Sequence, residues 1–378
     1  MRFLSDNARY KLLRLFGPGI LSGVTFKQWV KLVAESPLSL DLVCLPRALT
    51  ITLQSIQTSI WSRRERRFDS LLKDVTIQPP VFVLGHWRSG TTHLHQLLAQ
   101  DKRFSFPNNF QVSFPHTFLS TQEKFASRAN AIIPKRRPMD NMEWDIYSPQ
   151  EEEFALCTST LKSNCMGWVF PRRYEHFQKY LTFRDVDPRE VAEWRAAFEH
   201  FLKKLQLRSP RPLILKSPPH TARIRLLLEM FPAAKFVHIH RHPFAVFQST
   251  RRLMRKVVPM HCLQRVPWEE LDERIIHHYR AMHDAFFEDK TKIPAGHFCE
   301  VAFEQLEADP VGEVRRIYET LGLPAFDSFE PELRKYVATL VGYQKNQFPD
   351  LPAQLRDRLQ REWKRCFDEW GYSDITQS

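Results

Sequence analysis

An apolar run that ends in a glycine loop is the feature that most restricts the fold of this 378-residue chain. Val81 to Leu84 is apolar and follows Pro79-Pro80, and the next eight residues are Gly85-His-Trp-Arg-Ser-Gly-Thr-Thr92. Leucines at helical spacing come directly afterwards, at Leu94, Leu97 and Leu98. The glycines have the spacing of the phosphate-binding loop G-x-x-x-x-G-K-[ST], which joins a strand to a helix. The stretch therefore predicts a strand, a loop whose backbone N–H groups face an anion, and a helix.

Strand-like and helical segments alternate along the chain beyond this loop. Three further apolar runs have the length of buried strands: Leu213–Leu215, Phe236–His240 and Phe298–Val301. Asp187 and Pro188 begin a long helix as its N-cap and first helical residue. The apolar stripe of this helix is Val191, Trp194, Phe198, Phe201 and Leu205. The alternation predicts an α/β protein with a P-loop-type three-layer fold, in which helices flank a mainly parallel central sheet.

Three segments with chemically useful side chains stand at predicted strand ends, where sheets of this kind bind their ligands. They are the glycine loop, Lys216 after the second run, and Arg241 after the third. Pro243 then starts a helix, and Ser249 lies about two turns into it. The arginine and the serine can converge on one phosphate. Taken alone, however, this segment favours a surface arginine and a serine inside a helix.

The glycine loop differs from an ATP-binding loop at one position, because Thr91 stands where the lysine belongs. No apolar run ending in aspartate follows, so hydrolysis of Mg²⁺-ATP is disfavoured. Anion binding is retained, since Arg88 offers a guanidinium fork and Thr91 and Thr92 offer hydroxyl donors. A strand-to-helix turn without a ligand remains the alternative for this loop alone.

The N-terminal part of the chain has a different character, and we divide the protein into a helical extension, residues 1–77, and an α/β domain, residues 78–378. One face of a predicted helix carries Leu49, Leu53, Ile56 and Ile60. A basic cluster follows, made of Arg63, Arg64, Arg66 and Arg67. We expect the apolar face to pack on the main domain. The alternative is a contact with an anionic membrane surface, because the basic cluster attracts acidic headgroups.

Composition limits the partners and the compartment. The net charge of +12 suits an anionic partner such as a nucleotide, an acidic lipid or a nucleic acid. No nucleic-acid-binding signature accompanies it, so we expect no nucleic acid. The six cysteines are scattered and form no C-x-x-C pair, which favours reduced thiols and therefore a cytoplasmic protein. The protein would be peripheral on a membrane if its N-terminal helices contact one. We recognise no signal peptide and no transmembrane helix.

The combination of motifs resembles one family. The segments Trp87–Thr92, Leu215-Lys-Ser-Pro218 and Arg241-x-Pro243, with Ser249 eight residues after the arginine, are similar to those of sulfotransferases that use 3′-phosphoadenosine 5′-phosphosulfate (PAPS). The resemblance spans about residues 80 to 350. An arginine in the loop is typical of the branch that includes tyrosylprotein and many bacterial sulfotransferases. Members need no Walker lysine and no Mg²⁺, and we assign no metal.

The resemblance implies roles for individual residues. The 5′-phosphosulfate would be held by Trp87, Arg88, Ser89, Gly90, Thr91 and Thr92. Arg241 and Ser249 would bind the 3′-phosphate, and Lys216 would contact the sulfuryl group as adenosine 3′,5′-bisphosphate leaves. Lys345 and Asn346 are candidates for a cap over the nucleotide, although a plain surface turn fits that segment equally well.

The general base is harder to place. In the tyrosylprotein-type branch it is a glutamate after the first helix, and the corresponding stretch Phe106–Val112 has no carboxylate. Glu151 and Glu153 follow Ser148-Pro149 at a predicted helix start, where carboxylates ordinarily serve as capping residues. The similar bacterial branch has an acidic helix start near its acceptor, so we favour Glu151 and then Glu153. His116 is the rival, because an unperturbed imidazole suits a base.

The acceptor is indicated only by composition. Aromatic residues crowd the region after the loop: Phe104, Phe106, Phe110, Phe114, Phe118, Trp144, Trp168 and Phe170. They form either the wall of an apolar acceptor pocket or part of the core. The sequence thus predicts a PAPS-dependent sulfotransferase acting on a hydroxyl or amine, with a small-molecule or lipid-like acceptor. The alternatives are a P-loop nucleotide kinase or NTPase and a non-enzymatic basic module that binds membranes or nucleic acid.

Overall fold

The computed structural model describes residues 5–35, 40–131, 133–137, 139, 142–340, 342 and 348–372. The chain forms two compact units, and both are discontinuous in sequence. The first contains Met1–Ile77, Phe106–Pro210 and Met254–Trp268, and the second contains Gln78–Ser105, Arg211–Leu253 and Glu269–Ser378. The division into an extension and a domain at residues 77 and 78 stays a prediction.

The second unit is built on a parallel sheet. Its strands are β1 (Val81–Leu84), β2 (Ile214–Lys216), β3 (Lys235–His240) and β4 (Phe298–Ala302). Their order is β2-β1-β3-β4, and all three neighbouring pairs are parallel. The four strands expected from the apolar runs are therefore confirmed, as is the α/β class. Parallel pairing requires crossover connections, and the segments between successive strands contain helices that supply them.

Helices surround this sheet. They are α5 (Thr91–Leu98), α12 (Ile224–Met230), α13 (Pro243–Val257), α14 (Leu271–Asp289), α15 (Phe303–Ala308), α16 (Pro310–Leu321), α17 (Phe326–Thr339), α18 (Ala353–Glu362) and α19 (Lys364–Trp370). The last four residues of α13 belong to the first unit. Short 3₁₀ helices span Pro218–Ala222, Trp268–Glu270 and Lys290–Lys292.

Side chains alternate between the two faces of the sheet, as the period of a strand requires. Val81 and Val83 join a buried cluster with residues of α5, α16 and α17. Phe82 points to the opposite face, where its ring packs against His220 and Phe231. Both faces of β1 are covered, and all four of its residues are buried and apolar, whereas the edge strand β4 alternates buried and half-buried residues and includes Glu300.

The first unit is helical. Its helices are α1 (Asp6–Phe16), α2 (Phe26–Ala34), α3 (Leu45–Glu65), α4 (Asp69–Lys73), α6 (Asn109–Ser113), α7 (Phe118–Asn130), α8 (Glu153–Thr160), α9 (Met166–Val169), α10 (Tyr174–Thr182) and α11 (Pro188–Arg208). Its 3₁₀ helices are Gly19–Gly23, Leu42–Cys44, Arg66–Phe68, Pro171–Arg173 and Val258–Met260. Asp187 caps α11 by accepting from the Arg189 N–H at 2.8 Å, as predicted. Trp194, Phe198, Phe201 and Leu205 are buried on α11, while Val191 is half-buried.

Helix α3 contradicts the sequence-based expectation that its apolar face is buried. Leu49, Leu53 and Ile60 are 61%, 62% and 53% exposed, whereas the opposite face, with Ile51 and Ser55, is buried. Polar contacts hold that opposite face in the unit, and these contacts cannot be read from hydrophobic periodicity. The buried Arg47 side chain donates to the Pro259 carbonyl at 3.0 Å, and the Trp29 indole donates to the Thr52 hydroxyl at 2.8 Å.

The lengths of the helices and the state of the cysteine thiols complete the description of the fold. None of the described helices is long and apolar enough to span a membrane. All six cysteines are free thiols, four of them buried.

Candidate functional site

The glycine loop occupies residues 85–90, between β1 and α5, and two of its positions admit only glycine. Gly85 has φ 139° and Gly90 has φ 103°, both in the region that side chains rarely adopt. A Cβ on Gly85 would overlap the Ile239 carbonyl oxygen, and one on Gly90 would overlap the Phe303 ring. The spacing recognised in the sequence therefore reflects close packing of the loop against β3 and α15.

Hydrogen bonds fix the shape of this loop. The Ser89 hydroxyl donates to the His86 carbonyl at 2.8 Å, and the Gly85 N–H donates to the Thr221 hydroxyl at 2.7 Å. Arg88 has φ 73°, an uncommon conformation for a residue with a side chain. Thr221 was not among the residues predicted from the sequence. It lies five residues after Lys216, and this closeness to a predicted strand end was the signal that could have indicated it.

Two arginines and Ser249 come together beside the loop. The Arg88 Nε–H donates to the Ser249 hydroxyl at 2.8 Å, and Ser249 itself is buried. The Arg241 guanidinium lies 4.2 Å from the centroid of the Phe303 ring, the ring that also contacts Gly90. Burial lowers the pKa of Arg241, Glu304 opposes that change, and the charge of Arg88 adds to it. Arg88 and Arg241 therefore act on each other as like charges.

Lys216 stands on the other side of the loop. It is the last residue of β2, is buried, and pairs in register with Val83 of β1. On the opposite edge of β1, Leu84 pairs with His238 of β3. Since parallel strands run about 4.8 Å apart, Lys216 and Arg241 flank the loop at the carboxyl edge of the sheet. This arrangement agrees with the expectation from the strand ends.

The segment around Arg241 is held by a network that the sequence did not indicate. The His242 N–H donates to one carboxylate oxygen of Glu304 at 3.2 Å, and the Tyr372 hydroxyl donates to the other at 3.0 Å. The Nδ1 atom of His240 lies 2.9 Å from the Tyr372 hydroxyl oxygen. The network joins positions 68 residues apart, and no local pattern marks such a pairing.

Buried histidines lie under the loop. The His86 ring centroid is 5.6 Å from that of His278, 6.1 Å from that of His283 and 5.0 Å from that of Tyr279. Burial lowers the pKa of His86 to about 4, against a hydrogen bond with the Trp87 carbonyl that raises it. Burial also lowers the pKa values of His278 and His283 well below the ordinary value. These imidazoles are neutral at pH 7 and add no charge beneath the loop.

The three candidate bases belong to the first unit. Glu151 and Glu153 are buried at the start of α8, and the Ser163 hydroxyl donates to Glu153 at 2.6 Å. A capping carboxylate in a solvated first turn would be exposed. His116 lies between α6 and α7, and burial lowers its pKa to about 4, helped by the charges of Lys204 and His200. The approach of any of these groups to a bound donor stays a prediction.

The remaining predicted site residues differ in their burial, and two of them lie outside the described residues. Trp87, Ser89 and Thr91 are buried, and Thr91 begins α5 with Thr92 half-buried beside it. Lys345 and Asn346 lie outside the described residues. Five members of the aromatic set are buried: Phe104, Phe110, Phe118, Trp168 and Phe170. The other three are half-buried: Phe106, Phe114 and Trp144.

The fold and the loop define a P-loop-type α/β protein, and comparison with known proteins makes this more specific. The profile described as the sulfotransferase family matches residues 79–328. Omega-hydroxy-beta-dihydromenaquinone-9 sulfotransferase Stf3 from Mycobacterium bovis (strain ATCC BAA-935 / AF2122/97), and that from Mycobacterium tuberculosis (strain CDC 1551 / Oshkosh), are each 32% identical over 382 residues. The alignment covers 100% of this chain and 97% of each relative.

Solved structures agree on the fold. Sulfotransferase STF9 from Mycobacterium avium has a TM-score of 0.71 at 20% identity, covering 98% of this chain and 97% of that one. Sulfotransferase STF1 from Mycobacterium tuberculosis H37Rv has a TM-score of 0.64 at 17% identity, covering 89% and 91%. The protein belongs to the sulfotransferase family and is an enzyme that transfers sulfuryl groups. The kinase and the non-enzymatic module are thereby set aside.

The neutral histidines predict an acid-sensitive fold. The pKa of His86 is about 4 in the folded protein and about 6.5 in the unfolded chain, so its contribution to stability is complete above pH 6.5 and is lost as pH falls toward 4. This difference corresponds to about 3 kcal/mol for His86. Urea unfolding between pH 7.5 and 4.5 should show the decline, and His86→Asn should reduce its slope. The exposed His277→Gln is the matched control, and an unchanged slope in His86→Asn would contradict the assignment.

Proposed function

We propose that this enzyme transfers the sulfuryl group of PAPS to the hydroxyl of a lipid-like acceptor. The proposal rests above all on the hydrogen bond from Arg88 to the buried Ser249 beside the glycine loop, with Arg241 after one neighbouring strand and Lys216 at the end of the other. Two mutually repelling arginines are stabilised when an anion lies between them. A donor with phosphate groups at both its 5′ and 3′ positions supplies such anions.

Each part of the donor has a candidate partner. The loop amides, Arg88 and the hydroxyls of Thr91 and Thr92 would hold the 5′-phosphosulfate at the start of α5. Arg241 and Ser249 would bind the 3′-phosphate. The hydrogen bond between Arg88 and Ser249 would then link the residues that hold the two phosphates. Binding of either phosphate would help to order the residues around the other.

The reaction is an in-line displacement at sulfur. The acceptor oxygen attacks the sulfur, the bond from sulfur to the bridging phosphate oxygen breaks, and adenosine 3′,5′-bisphosphate leaves as a sulfate ester forms. Negative charge grows on the bridging oxygen, and Lys216 is the group proposed to neutralise it. Burial strengthens that interaction, because Lys216 is only 2% exposed.

The proton released by the acceptor hydroxyl requires a base. We assign this role to Glu151, with Glu153 and His116 as the remaining candidates. Glu151 is 8% exposed whereas Glu153 is fully buried, which favours Glu151 for contact with an acceptor.

A lipid-like acceptor is supported by the relatives. The two mycobacterial proteins are named for omega-hydroxy-beta-dihydromenaquinone-9, and they align with the whole of this chain. We therefore propose a hydroxylated, largely apolar acceptor for this enzyme as well. An enzyme with such an acceptor would act in the cytoplasm at an anionic membrane surface, where a lipid of this kind is found.

The donor site predicts selective binding of adenosine 3′,5′-bisphosphate. Arg241→Ala should weaken binding by about 2 to 5 kcal/mol, because a desolvated charge pair is lost. Isothermal titration calorimetry without Mg²⁺ measures this, with the exposed Arg225→Ala as the matched control. Equal binding of plain AMP by the wild-type enzyme would contradict the assignment of a 3′-phosphate site.

The acceptor assignment predicts sulfation of lipids. With ³⁵S-labelled PAPS, wild-type enzyme should label a hydroxylated lipid in an extract, and Lys216→Met should not, since the charge next to the leaving oxygen is gone. Thin-layer chromatography separates the labelled lipid from the donor. Good activity on soluble carbohydrate together with none on lipid extracts would exclude a lipid-like acceptor.

The base assignment predicts a loss confined to turnover. Glu151→Gln should lower kcat about 10²- to 10⁴-fold with little change in the affinity for adenosine 3′,5′-bisphosphate. Glu152→Gln is the matched control, because this adjacent glutamate is also buried and has no proposed role. Unchanged kcat in Glu151→Gln would show that Glu151 is not the base. A His116 base would then be expected to keep kcat constant from pH 8 to about pH 5, since its pKa is about 4.

A further inference from the structure

The exposed apolar side chains of this protein are concentrated in one part of the chain. Among the described residues, fifteen large apolar side chains are exposed, and thirteen of them lie between Leu12 and Leu71. The other two are Tyr147 and Trp268. Scattered exposed leucines are normal on a soluble protein, but a concentration of this kind marks an interaction surface.

The largest part of this surface is a continuous stripe on α3, which we name the α3 ridge. It consists of Leu45, Leu49, Leu53, Ile56 and Ile60, whose side chains are 50%, 61%, 62%, 41% and 53% exposed. At 100° per residue these positions fall within an arc of about 80°, and they extend along about 22 Å of helix. The ridge is therefore straight and one-sided, and it is long enough to contact a flat partner.

The ridge faces outward because the other side of α3 is held in the first unit. Ala48, Ile51 and Thr58 are buried there. Helix α2 lies along the flank of the ridge, where the Phe26 N–H donates to the Ser59 hydroxyl at 2.8 Å. Phe26 itself is exposed and adds to the apolar surface. Rotation of α3 to hide the ridge would break these contacts.

The exposed charges of α3 and of the 3₁₀ helix that follows it have one sign, and the first exposed carboxylate beyond them is that of Asp69. Between residues 42 and 68, the exposed charged side chains are Arg63, Arg64, Arg66 and Arg67. The one carboxylate of this stretch, on Glu65, is buried and lies 2.9 Å from the Lys204 ammonium. Arg63 and Arg64 continue α3 beyond Ile60 at angles of about 0° and 100° from Leu45, so they lie on or beside the ridge. The surface therefore combines an apolar stripe with cations at one end.

We propose that the α3 ridge docks on the surface of a membrane that contains anionic lipids. The apolar side chains would enter the boundary between headgroups and acyl chains, and the arginines would pair with lipid phosphates. A second copy of this chain could cover the leucines, but it would bring four more arginines and no exposed carboxylate from this stretch to pair with them. The proposal does not depend on the donor or on the chemistry of sulfuryl transfer.

Flotation of the full-length protein with vesicles tests the docking. Wild type should bind vesicles of phosphatidylcholine with phosphatidylglycerol, and should bind phosphatidylcholine alone much less. Leu49→Gln/Leu53→Gln should weaken binding at least about tenfold, because two exposed leucines lose their apolar contact. Arg63→Gln/Arg64→Gln should weaken binding to the anionic vesicles about ten- to thirty-fold at low salt. The matched control Lys335→Gln/Arg361→Gln removes two exposed cations elsewhere and should bind as wild type does.

Three results would overturn the proposal: no vesicle binding by wild type, undiminished binding by both ridge variants, or an equal loss in the control. A dimer that Leu49→Gln/Leu53→Gln dissociates, without vesicle binding, would also overturn it and identify a second copy as the occupant. Calorimetry with adenosine 3′,5′-bisphosphate keeps the two proposals distinct. The ridge variants should bind this ligand as wild type does, and vesicle binding with no nucleotide binding would support docking while contradicting the donor assignment.

Discussion

The proposed donor site of this enzyme depends on how closely the glycine loop packs against β3 and α15. Gly85 approaches the backbone of Ile239, and Gly90 approaches Phe303, in conformations that side chains rarely adopt. The same Phe303 ring lies under the Arg241 guanidinium. The Phe303 ring therefore contacts both the loop and the arginine, and a shift of this ring would move both of them.

Parallel strand pairing places two cations beside this loop. Because β2 and β3 run beside β1 in the same direction, their carboxyl ends bring Lys216 and Arg241 to either side of the loop. The histidines beneath the loop add no charge, since burial holds them neutral, while the Glu304 carboxylate partly offsets the charge of Arg241. Because Lys216 is buried, a bound anion would interact strongly with it. Arg88 itself has φ 73°, a strained conformation for a residue with a side chain.

The first unit carries the candidate bases and the exposed apolar surface. The glutamates at the start of α8 are buried in this unit, and the α3 ridge is exposed on it. An enzyme with an apolar acceptor must meet that acceptor where it resides, which for a lipid is a membrane rather than bulk water. A basic and apolar surface on the same chain as the donor loop would satisfy this requirement without a membrane-spanning helix.

Much of the fold was predictable from local patterns. Short apolar runs ending in polar residues identified all four strands, and Asp187-Pro188 identified the start of α11, because these signals lie within a few neighbouring residues. The order Gly85–Thr92, Lys216, Arg241 and Ser249 was sufficient to indicate the family. Glu151 and Glu153 were proposed by resemblance and His116 from the ordinary pKa of an imidazole, and no local pattern distinguishes Glu151 from a capping residue.

The sequence by itself determined the α/β class, the glycine loop and the strand-end cations, since each follows from spacing along the chain. Only the tertiary structure decided which face of α3 is buried. Periodicity marks an apolar face, but whether that face is covered depends on distant polar contacts such as that of Arg47 with Pro259. Likewise, the bond between Arg88 and Ser249 joins residues 161 positions apart, and the Tyr372–Glu304 contact joins the C-terminal segment to the residue beside Phe303. Pairings of this range arise from the parallel sheet and its crossovers, which bring distant segments to one edge.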